Sequence, residues 1–261
     1  MEVVRLEGGW TCDTFAVDGV WIVQVARSPY AAAMLRKQAR VLPALAPRVP
    51  AAVPIPAWRA EEPPTMAYRL IDGVDCDRAP AAGWPEQLGR FLAALHAIPP
   101  AALGLPALDA GALREQARVD VARLHAVVAP RLAPAERVRA AAFAAALLDD
   151  DVHWRFEVGT VHGDLGPEHV LISPAGDLVG VIDWEEVGAD DPVFDLAWWL
   201  HARPELGQRV LAARGALDDG ARDRAALWFA LMPWDEVEHG VLTGDDEEVE
   251  AGLAGVRARL P

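Results

Sequence analysis

One stretch of the sequence decides the fold of this chain: Thr160-Val-His-Gly-Asp-Leu-Gly-Pro-Glu-His-Val-Leu-Ile-Ser-Pro-Ala-Gly-Asp-Leu-Val-Gly-Val-Ile-Asp-Trp184. Two short apolar runs, at residues 170–172 and 178–182, flank a segment that carries the Pro and Gly of a tight connection. Apolar runs around such turn residues are typical of a β-hairpin. The stretch therefore predicts two antiparallel strands.

The predicted hairpin brings together side chains that bind metal ions. If the turn is centred near Gly176, His169 and Asp183 lie opposite each other, and opposed side chains are only ~5 Å apart. We expect these two residues to hold one ion between them. Asp164 lies in a Gly-containing loop before the first strand, so we expect its carboxylate to project into the same space and accept a proton. The stretch predicts a base beside a metal site.

Several motifs follow one another here in a specific order and spacing. His-x-Asp-x-x-x-x-His, at 162–169, is followed by the hairpin ending in Ile-Asp-Trp, and then by Asp191-Pro-Val-Phe-Asp195-Leu-Ala. In this order the motifs resemble the aminoglycoside phosphotransferase family of kinase-like enzymes. Residues 161–166, with Asp183-Trp-Glu-Glu-Val-Gly188 and Asp191-Pro, also resemble the phosphotransferases that act on the peptide antibiotic viomycin.

The resemblance implies an α+β, bilobal protein-kinase-like fold with a small β-rich N-lobe and a larger, mainly helical C-lobe. Residues 1–73 would form the lobe that covers the nucleotide, including the hinge strand. Residues 74–261 would carry the catalytic loop, the metal-site hairpin and the helices that bind the acceptor.

The resemblance also implies a role for each motif residue. Asp164 would orient or deprotonate the acceptor hydroxyl, Asp183 would be the main Mg²⁺ ligand, and His169 would be the second metal-site residue. Most kinases have Asn at the position of His169, and Mg²⁺ prefers oxygen ligands. Some relatives, including macrolide kinases and certain aminoglycoside kinases, have His there. His162 and Asp195 would support the catalytic loop.

The nucleotide would lie beneath an N-terminal hairpin whose strands are joined at Asp18-Gly19. Gly8 and Gly9 occupy the place of the family's phosphate-covering loop, where glycine lets backbone N–H groups approach oxyanions closely. By itself a Gly-Gly pair is more often an ordinary turn. The resemblance assigns contact with the purine of ATP or GTP to the backbone around three residues: Arg69, Leu70 and Ile71.

Two departures concern the groups that hold the phosphates. Kinase-like enzymes pair a strand Lys or Arg with a helix Glu, and in this chain Gln24 and Gln38 occupy those two positions. Two neutral amides can hydrogen-bond each other and a phosphate without leaving an unpaired charge. Arg27 or Lys37, the only lysine, are alternative sources of the missing charge. The sequence leaves both open, and with them the level of activity.

Composition limits the partners. The chain has 261 residues, 52% of them hydrophobic, and a formal net charge of −15. The acidic balance argues against nucleic acid or anionic membrane as a partner and favours a cationic substrate, although acidity also maintains solubility. Cys12 and Cys76 form no disulfide framework, and no apolar run reaches the ~18 residues of a membrane span. We expect a cytoplasmic monomer.

Candidate acceptor-binding residues come from the uneven distribution of acidic side chains. Glu186, Asp190 and Asp235 are the tentative substrate-binding residues. The run Asp245-Asp-Glu-Glu248 is interpreted mainly as a helix cap or a solvated face. Four tryptophans either line the acceptor pocket or belong to the core, the more frequent location of a Trp on a helix face: Trp198, Trp199, Trp228 and Trp234.

These expectations combine into one hypothesis. The chain would use Mg²⁺ to move the γ-phosphoryl group of ATP or GTP to a hydroxyl of a cationic antibiotic, an aminoglycoside or a viomycin-like peptide, and so confer resistance. The alternatives are a metabolic small-molecule kinase, a macrolide kinase, and a catalytically weak homologue that binds nucleotide or ligand. The sequence leaves open the acceptor, the hydroxyl modified, the choice of donor and the oligomeric state.

Overall fold

The structure is a computed structural model that describes residues 1–6 and 10–260. The chain divides into two compact units. The first comprises Met1–Ala107, Gly159–Ala189 and Arg203–Ala216, and the second comprises Leu108–Val158, Asp190–Ala202 and Leu217–Pro261. The lobe boundary expected near residue 73 stays a prediction.

A five-stranded antiparallel sheet forms the N-terminal part of the first unit, in the order β1-β2-β3-β5-β4. Its strands are β1 (Val3–Leu6), β2 (Cys12–Val17), β3 (Trp21–Ala26), β4 (Pro56–Glu61) and β5 (Pro64–Arg69). The predicted turn is confirmed, because Asp18 and Gly19 have φ of 52° and 63°, values that tight hairpin turns require. The sequence did not predict β4, whose edge position tolerates the proline at its first residue, Pro56.

Helix α1 (Pro29–Leu45) packs against this sheet. It begins after Ser28, whose hydroxyl accepts a hydrogen bond from the Ala31 N–H at 3.1 Å, as a helix N-cap does. Strand and helix share a buried core of seven side chains: Cys12, Ile22, Ala31, Leu35, Ala39, Met66 and Tyr68. Gln24 on β3 and Gln38 on α1 are therefore carried by two elements that one core holds together.

The rest of the first unit contains the hairpin and its supports. A three-stranded antiparallel sheet has the order β6-β8-β9, and two short strands, β7 and β10, pair with each other. These strands are β6 (Val74–Asp75), β7 (Gly159–Val161), β8 (Val170–Ile172), β9 (Leu178–Val181) and β10 (Gly188–Asp190). Helices α2 (Trp84–His96) and α6 (Pro204–Arg214) pack together. The α2 residues at i, i+3, i+4 and i+7 are fully buried, as that spacing predicts: Leu88, Phe91, Leu92 and Leu95.

The second unit is helical. It contains α3 (Ala110–Val128), α4 (Pro134–Asp149), α5 (Phe194–Ala202), α7 (Ala221–Thr243) and α8 (Asp246–Arg259). Asp245 caps α8, because its Oδ1 accepts hydrogen bonds from the N–H groups of Glu247 and Glu248, each at 3.0 Å. The acidic run thus begins a helix, in agreement with one of the two interpretations given to it.

Burial settles the location of most of the four tryptophans. Trp199 and Trp234 are 0% exposed and Trp228 is 8% exposed, whereas Trp198 is half-buried. Three of the four therefore belong to the core. Both cysteines are buried and free. Within residues 1–6 and 10–260, no helix is both long enough and apolar enough to cross a membrane.

Candidate active site

The hairpin is formed, but its register differs by one residue from the prediction. The N–H of Ile182 donates to the carbonyl of His169 at 2.9 Å, so Ile182, and not Asp183, lies opposite His169. The predicted direct pairing of positions 169 and 183 is wrong, because Ile172 pairs with Leu178 and so centres the turn on Ala175 instead of Gly176; the register shift between Leu171 and Ile172 offsets this only in part. The side chains nevertheless meet, with His169 Nε2 3.6 Å from Asp183 Oδ2.

Asp183 reaches the site through an unusual backbone conformation. Its φ is 63°, in the left-handed region that residues other than glycine seldom adopt. Successive strand residues point to opposite faces, so the departure from strand geometry lets the carboxylate lie beside His169. The next residue anchors the segment, because the buried Trp184 indole N–H donates to the Val181 carbonyl at 2.8 Å. Strain of this kind, of order ~1–3 kcal/mol, is concentrated at functional sites.

The hydrogen bonds of His169 determine which ring nitrogen is available. Nδ1 lies 2.7 Å from the carbonyl oxygen of Asp164, which can only accept, so Nδ1 carries the proton. In the neutral ring the Nε2 lone pair is then left on the side of Asp183, as a metal ligand requires. Burial lowers the pKa of His169, but the carboxylates of Asp183 and Asp164 outweigh burial and raise it.

His162 connects the loop to the hairpin. The ring is 0% exposed; its Nε2 donates to the Ile182 carbonyl at 2.9 Å and its Nδ1 accepts from the Asp164 N–H at 3.3 Å. It also packs against the Trp184 ring at a centroid distance of 4.5 Å. One neutral imidazole therefore bonds the residue before Asp183 and the backbone of Asp164. These are the contacts expected of a residue that supports the catalytic loop, and that role of His162 stays a prediction.

Asp164 carries a carboxyl group with a shifted pKa. The side chain reaches solvent, but the surrounding protein removes part of its hydration, and this raises the pKa to about 6. His169 acts in the opposite direction, whereas the negative charges of Asp183, Glu168 and Glu186 raise the pKa further. A carboxylate whose pKa lies closer to neutrality than usual is better suited to accept a proton from a hydroxyl.

The segment after Asp183 contacts the loop and the N-terminal elements. Gly163 has φ of +88°, and a Cβ there would lie 2.6 Å from the Glu186 carbonyl oxygen, so the close approach requires glycine. The Glu186 carboxylate accepts from the Tyr30 hydroxyl at 2.9 Å, and Glu185 accepts from the Thr11 hydroxyl. These partners are 156 and 174 positions apart. Sequence reasoning missed them, because no local signal marks such contacts.

Gln24 and Gln38 do not form the hydrogen bond with each other that the sequence allows. Gln38 is 2% exposed, and Gln24 is half-buried. Gln24 Oε1 and Gln38 Nε2 are buried, and neither has a hydrogen-bond partner in the described part of the chain. A buried acceptor and a buried donor without partners cost stability. The two side chains therefore leave unused hydrogen-bonding capacity at this position.

The residues predicted to contact the purine lie where β5 ends. Arg69 is the last residue of β5, and its guanidinium lies 4.8 Å from the centre of the Trp21 ring. The N–H of Leu70 donates to the Val20 carbonyl at 2.8 Å, so that donor is already used; Ile71 follows outside the strand. Contact with the purine stays a prediction. Gly8 and Gly9 lie outside the described residues.

One buried arginine of the second unit pairs with two of its aspartates. Asp191 and Asp195 are each 1% exposed. Arg224, 2% exposed, contacts Asp191 Oδ2 at 2.5 Å and Asp218 Oδ1 at 2.7 Å, and its guanidinium lies 5.1 Å from the centre of the Phe156 ring. Hydrogen bonds from Arg224 lower the pKa of Asp218. The Asp-Pro motif is therefore held by a buried ion-pair network.

The tentative substrate residues of the second unit differ in environment. Asp190 is half-buried, and its Oδ1 accepts from the Asp191 N–H at 2.7 Å. Burial raises its pKa to about 7, and the charges of Asp191 and Asp195 raise it as well. Asp235 is exposed on α7. A role of either residue in binding the acceptor stays a prediction.

The donor set can be compared with what Mg²⁺ requires. This ion is usually bound through one or two carboxylates and completes its shell with substrate phosphates and water. Asp183 offers a carboxylate, and His169 offers the ring nitrogen Nε2, which lies 3.6 Å from Asp183 Oδ2. Within the described ranges, no three or more His, Cys, Asp or Glu side chains are arranged to hold a metal together. The two side chains fit an ion shared with a nucleotide.

The fold is that of the kinase-like phosphotransferases. It matches the GDP and kanamycin complex of APH(2")-IIia with a TM-score of 0.87 at 22% identity, over 99% of this chain and 92% of that one. It also matches macrolide 2'-phosphotransferase MphH from Brachybacterium faecium with a TM-score of 0.76 at 25% identity, over 97% of this chain and 91% of that one. The predicted protein-kinase-like α+β fold is confirmed.

The chain belongs to the phosphotransferase enzyme family, whose family model matches residues 2–228. Among curated proteins it is similar to viomycin phosphotransferase of Streptomyces vinaceus, with 39% identity over 101 residues. That similarity covers 37% of this chain and 35% of the relative, so the chain spans about a third of that relative's length. The predicted family is confirmed.

Proposed function

We propose that this chain transfers the γ-phosphoryl group of a nucleoside triphosphate to a hydroxyl of a small cationic antibiotic, of the viomycin or aminoglycoside type. One observation carries the proposal: the loop carboxylate of Asp164 and the strained Asp183 are joined through His169, which bonds the backbone of the first at 2.7 Å and lies 3.6 Å from the carboxylate of the second. A proton acceptor and a metal-ligand pair thus occupy one site.

Each of these side chains has a defined task in the proposed reaction. Asp164 orients the acceptor hydroxyl and takes its proton as the oxygen attacks the γ-phosphorus in line; the bond between the γ-phosphorus and the β–γ bridging oxygen breaks, and the nucleoside diphosphate leaves. His162 keeps the loop of Asp164 bonded to the hairpin. When bound by Asp183 and His169, Mg²⁺ supplies charge neutralisation for the phosphate oxygens. Family membership supports this class of reaction, and the proposed donor is ATP or GTP.

The acceptor class rests on charge and similarity. A net charge of −15 favours a cationic acceptor over an anionic one, and the tentative acceptor-binding residues Glu186, Asp190 and Asp235 are all acidic. The similarity to viomycin phosphotransferase at 39% identity points in the same direction. We therefore place viomycin and the aminoglycosides ahead of uncharged acceptors.

A macrolide kinase is the second candidate. It is supported by the match to macrolide 2'-phosphotransferase MphH at 25% identity. His169 is compatible with it, because the sequence resemblance associates His at this position with macrolide kinases and with certain aminoglycoside kinases alike. Macrolides are large and mainly apolar, so this candidate requires an apolar acceptor surface rather than an acidic one.

A panel of acceptors tests the proposal. The purified chain is incubated with Mg²⁺ and either ATP or GTP, together with viomycin, kanamycin, gentamicin, streptomycin or a macrolide, and the phosphorylated product is measured by mass spectrometry. We expect transfer to viomycin or an aminoglycoside, and a rate about 10²–10⁴-fold lower in Asp164→Ala, the usual contribution of a positioned base. Transfer to the macrolide alone would establish the second candidate.

Asp177→Asn is the matched control, because Asp177 is an exposed carboxylate of the adjoining hairpin with no part in the proposed reaction. Equal rates in wild type and Asp164→Ala would eliminate the proposed role of Asp164. Nucleotide binding without transfer to any acceptor would point to a weak binding homologue. Expression in a sensitive bacterium separates an antibiotic kinase, which raises resistance, from a metabolic kinase, which does not.

A further inference from the structure

The phosphate side of the N-terminal sheet lacks a cation where kinase-like enzymes have one. Gln24 stands at that position, opposite Thr14 and Met66 in the sheet. Opposed residues share a face, and Met66 belongs to the core that α1 shares with the sheet. Gln24 therefore lies on the α1 face. A triphosphate binds most strongly to charged donors, so a cation on this face would replace the one that Gln24 does not provide.

Arg27, one of the two alternatives from the sequence, is committed elsewhere. Its Nε lies 3.1 Å from Asp13 Oδ1, and an Nη donates to the Trp10 carbonyl at 3.4 Å. Asp13 lies opposite Val25, and neighbouring strand residues alternate between faces. Arg27 therefore engages a carboxylate on the face away from Gln24.

Other cations of this region are also engaged or point elsewhere. Arg69 lies over Trp21, its partner across the strands, and Trp21 is on the face away from Gln24 by the same alternation. Arg36 is bound to Glu61 at 2.9 Å. These two side chains do not supply the charge that is missing beside Gln24.

Lys37, the other alternative, lies on α1 next to Gln38 and is half-buried. Tyr30, two helical turns earlier on the same face, donates to Glu186 at 2.9 Å, so this face of α1 is directed toward the segment that follows Asp183. Burial lowers the pKa of Lys37, and the charges of Glu186 and Glu185 raise it. The ammonium group therefore lies in the field of that segment.

The ammonium group has no close counter-charge in the described chain. Among residues 1–6 and 10–260, no carboxylate oxygen is recorded within 4.0 Å of Lys37 Nζ. Removing an ammonium from water without pairing it costs free energy. A half-buried lysine attracted by two carboxylates but in contact with neither is arranged to receive an anion.

We propose that Lys37 binds the phosphates of the nucleoside triphosphate and supplies, from helix α1, the charge that Gln24 does not supply from the strand. The inference rests on the proposed function, because it assumes a nucleotide beside Asp183. Glu185 and Glu186 attract the ammonium before the nucleotide binds. The change from a strand cation to a helix cation also accounts for Gln38, since a Glu at that position would have no strand cation to pair with.

Binding of nucleotide and nucleoside separates a phosphate contact from a structural role. Calorimetry measures MgATP, MgGTP, adenosine and guanosine with wild type, Lys37→Met and Lys37→Arg. Loss of one charged hydrogen bond weakens binding by roughly 10- to 100-fold, so we expect that loss for the triphosphate in Lys37→Met. Nucleoside binding should stay within about twofold of wild type. Lys37→Arg should retain most of the triphosphate affinity.

Arg40→Met is the matched control, since Arg40 is an exposed cation one turn further along the same helix. Its binding of triphosphate should equal that of wild type. The double variant Gln24→Lys/Lys37→Met moves the charge back to the strand and should recover triphosphate binding. If Lys37→Met does not fold, as judged by circular dichroism, Lys37→Gln replaces it in the series.

Two outcomes overturn the proposal and leave the proposed function intact: unchanged triphosphate affinity in Lys37→Met, or an equal loss for triphosphate and nucleoside. If the wild-type chain binds neither triphosphate nor nucleoside, the proposed function itself fails, and the inference with it.

Discussion

The aspartates of the catalytic loop and hairpin, Asp164 and Asp183, and the aspartate of the Asp-Pro motif, Asp191, have opposite surroundings. In the described part of the chain, no arginine or lysine nitrogen is recorded within 4.0 Å of the carboxylates of Asp164 and Asp183. Asp183 has a strained backbone, and the pKa of Asp164 is raised to about 6. Asp191, by contrast, is 1% exposed and bound by Arg224, which also binds Asp218.

The difference shows which carboxylates serve the fold and which are available for chemistry. A buried carboxylate paired with arginine cannot bind a metal ion or accept a proton without losing its partner. A carboxylate with no arginine or lysine partner stays available to a ligand, at a cost in stability that functional sites commonly carry. We therefore infer that Asp191 serves the fold, and we propose that Asp164 and Asp183 serve the reaction.

The largest expected effect is on activity, at Asp183. Asn tolerates the left-handed conformation nearly as well as Asp, so Asp183→Asn keeps the backbone and removes the charge. We expect phosphoryl transfer to fall by about 10²–10⁴-fold, the range for loss of a group that stabilises transition-state charge, with little change in the melting temperature.

Asp177→Asn is the control for this variant. Asp177 lies in the same hairpin, and its carboxylate accepts a hydrogen bond from Gln87 at 2.8 Å that an amide oxygen can keep. If Asp183→Asn retains wild-type transfer, Asp183 does not hold the metal, and Asp183 and Asp191 do not differ in function as described.

The next largest effect is expected on the free energy of unfolding, when the buried Arg224–Asp191 pair is broken. Arg224→Met leaves Asp191 buried without its cation, and breaking a buried pair costs about 3–5 kcal/mol. Urea denaturation measures the loss. Arg222→Met, an exposed arginine on the same helix, should change stability by less than ~0.5 kcal/mol. Similar small losses in both variants would show that the buried network does not stabilise this unit.

A third test uses pH. Asp190 has a folded-state pKa raised to about 7, above the ~3.9 of an unfolded aspartate. The folded state therefore binds more protons between these values, and the contribution of the protonated carboxyl to stability is lost as pH rises through that window.

Asn cannot ionise, so the free energy of unfolding of Asp190→Asn should rise relative to that of wild type as pH rises. We expect almost no pH-dependent difference near pH 4 and a relative gain of ~2 kcal/mol at pH 8, less than the full shift because the side chain is only half-buried. Urea denaturation across this range measures the slope, with exposed Asp235→Asn as control. A difference that stays constant with pH would contradict the raised pKa.

The smallest expected effect is on nucleotide affinity, at Gln24, the neutral residue in the position of the strand cation. A lysine at position 24 adds a charge on the α1 face without removing Lys37, so Gln24→Lys should leave MgATP affinity within about tenfold of wild type, or ~1.4 kcal/mol. Calorimetry measures it. If binding is abolished while circular dichroism shows an intact fold, Gln24 does not occupy the position of the strand cation.

Sequence reasoning identified most of the candidate site and part of its geometry. The motif order predicted that Asp164, His169 and Asp183 lie close together. The pairing was wrong by one residue, since the turn is centred one residue before Gly176 and a ladder shift at residues 171–172, which no local pattern marks, offsets this only in part. The bonds of Tyr30 and Thr11 to the segment after Asp183 were also not predicted, because their partners are far away in sequence.

By itself the sequence determined the features that depend on residues a few positions apart. These are the Asp18-Gly19 turn, the Asp245 cap and the buried face of α2, since turn conformation, capping and helix periodicity are local properties. Only the tertiary structure decided which acidic groups are neutralised. Arg224 meets Asp191 across 33 positions, whereas Asp164 and Asp183 meet no arginine or lysine of the described chain. Electrostatic compensation depends on distance in space and on burial, and folding alone sets both.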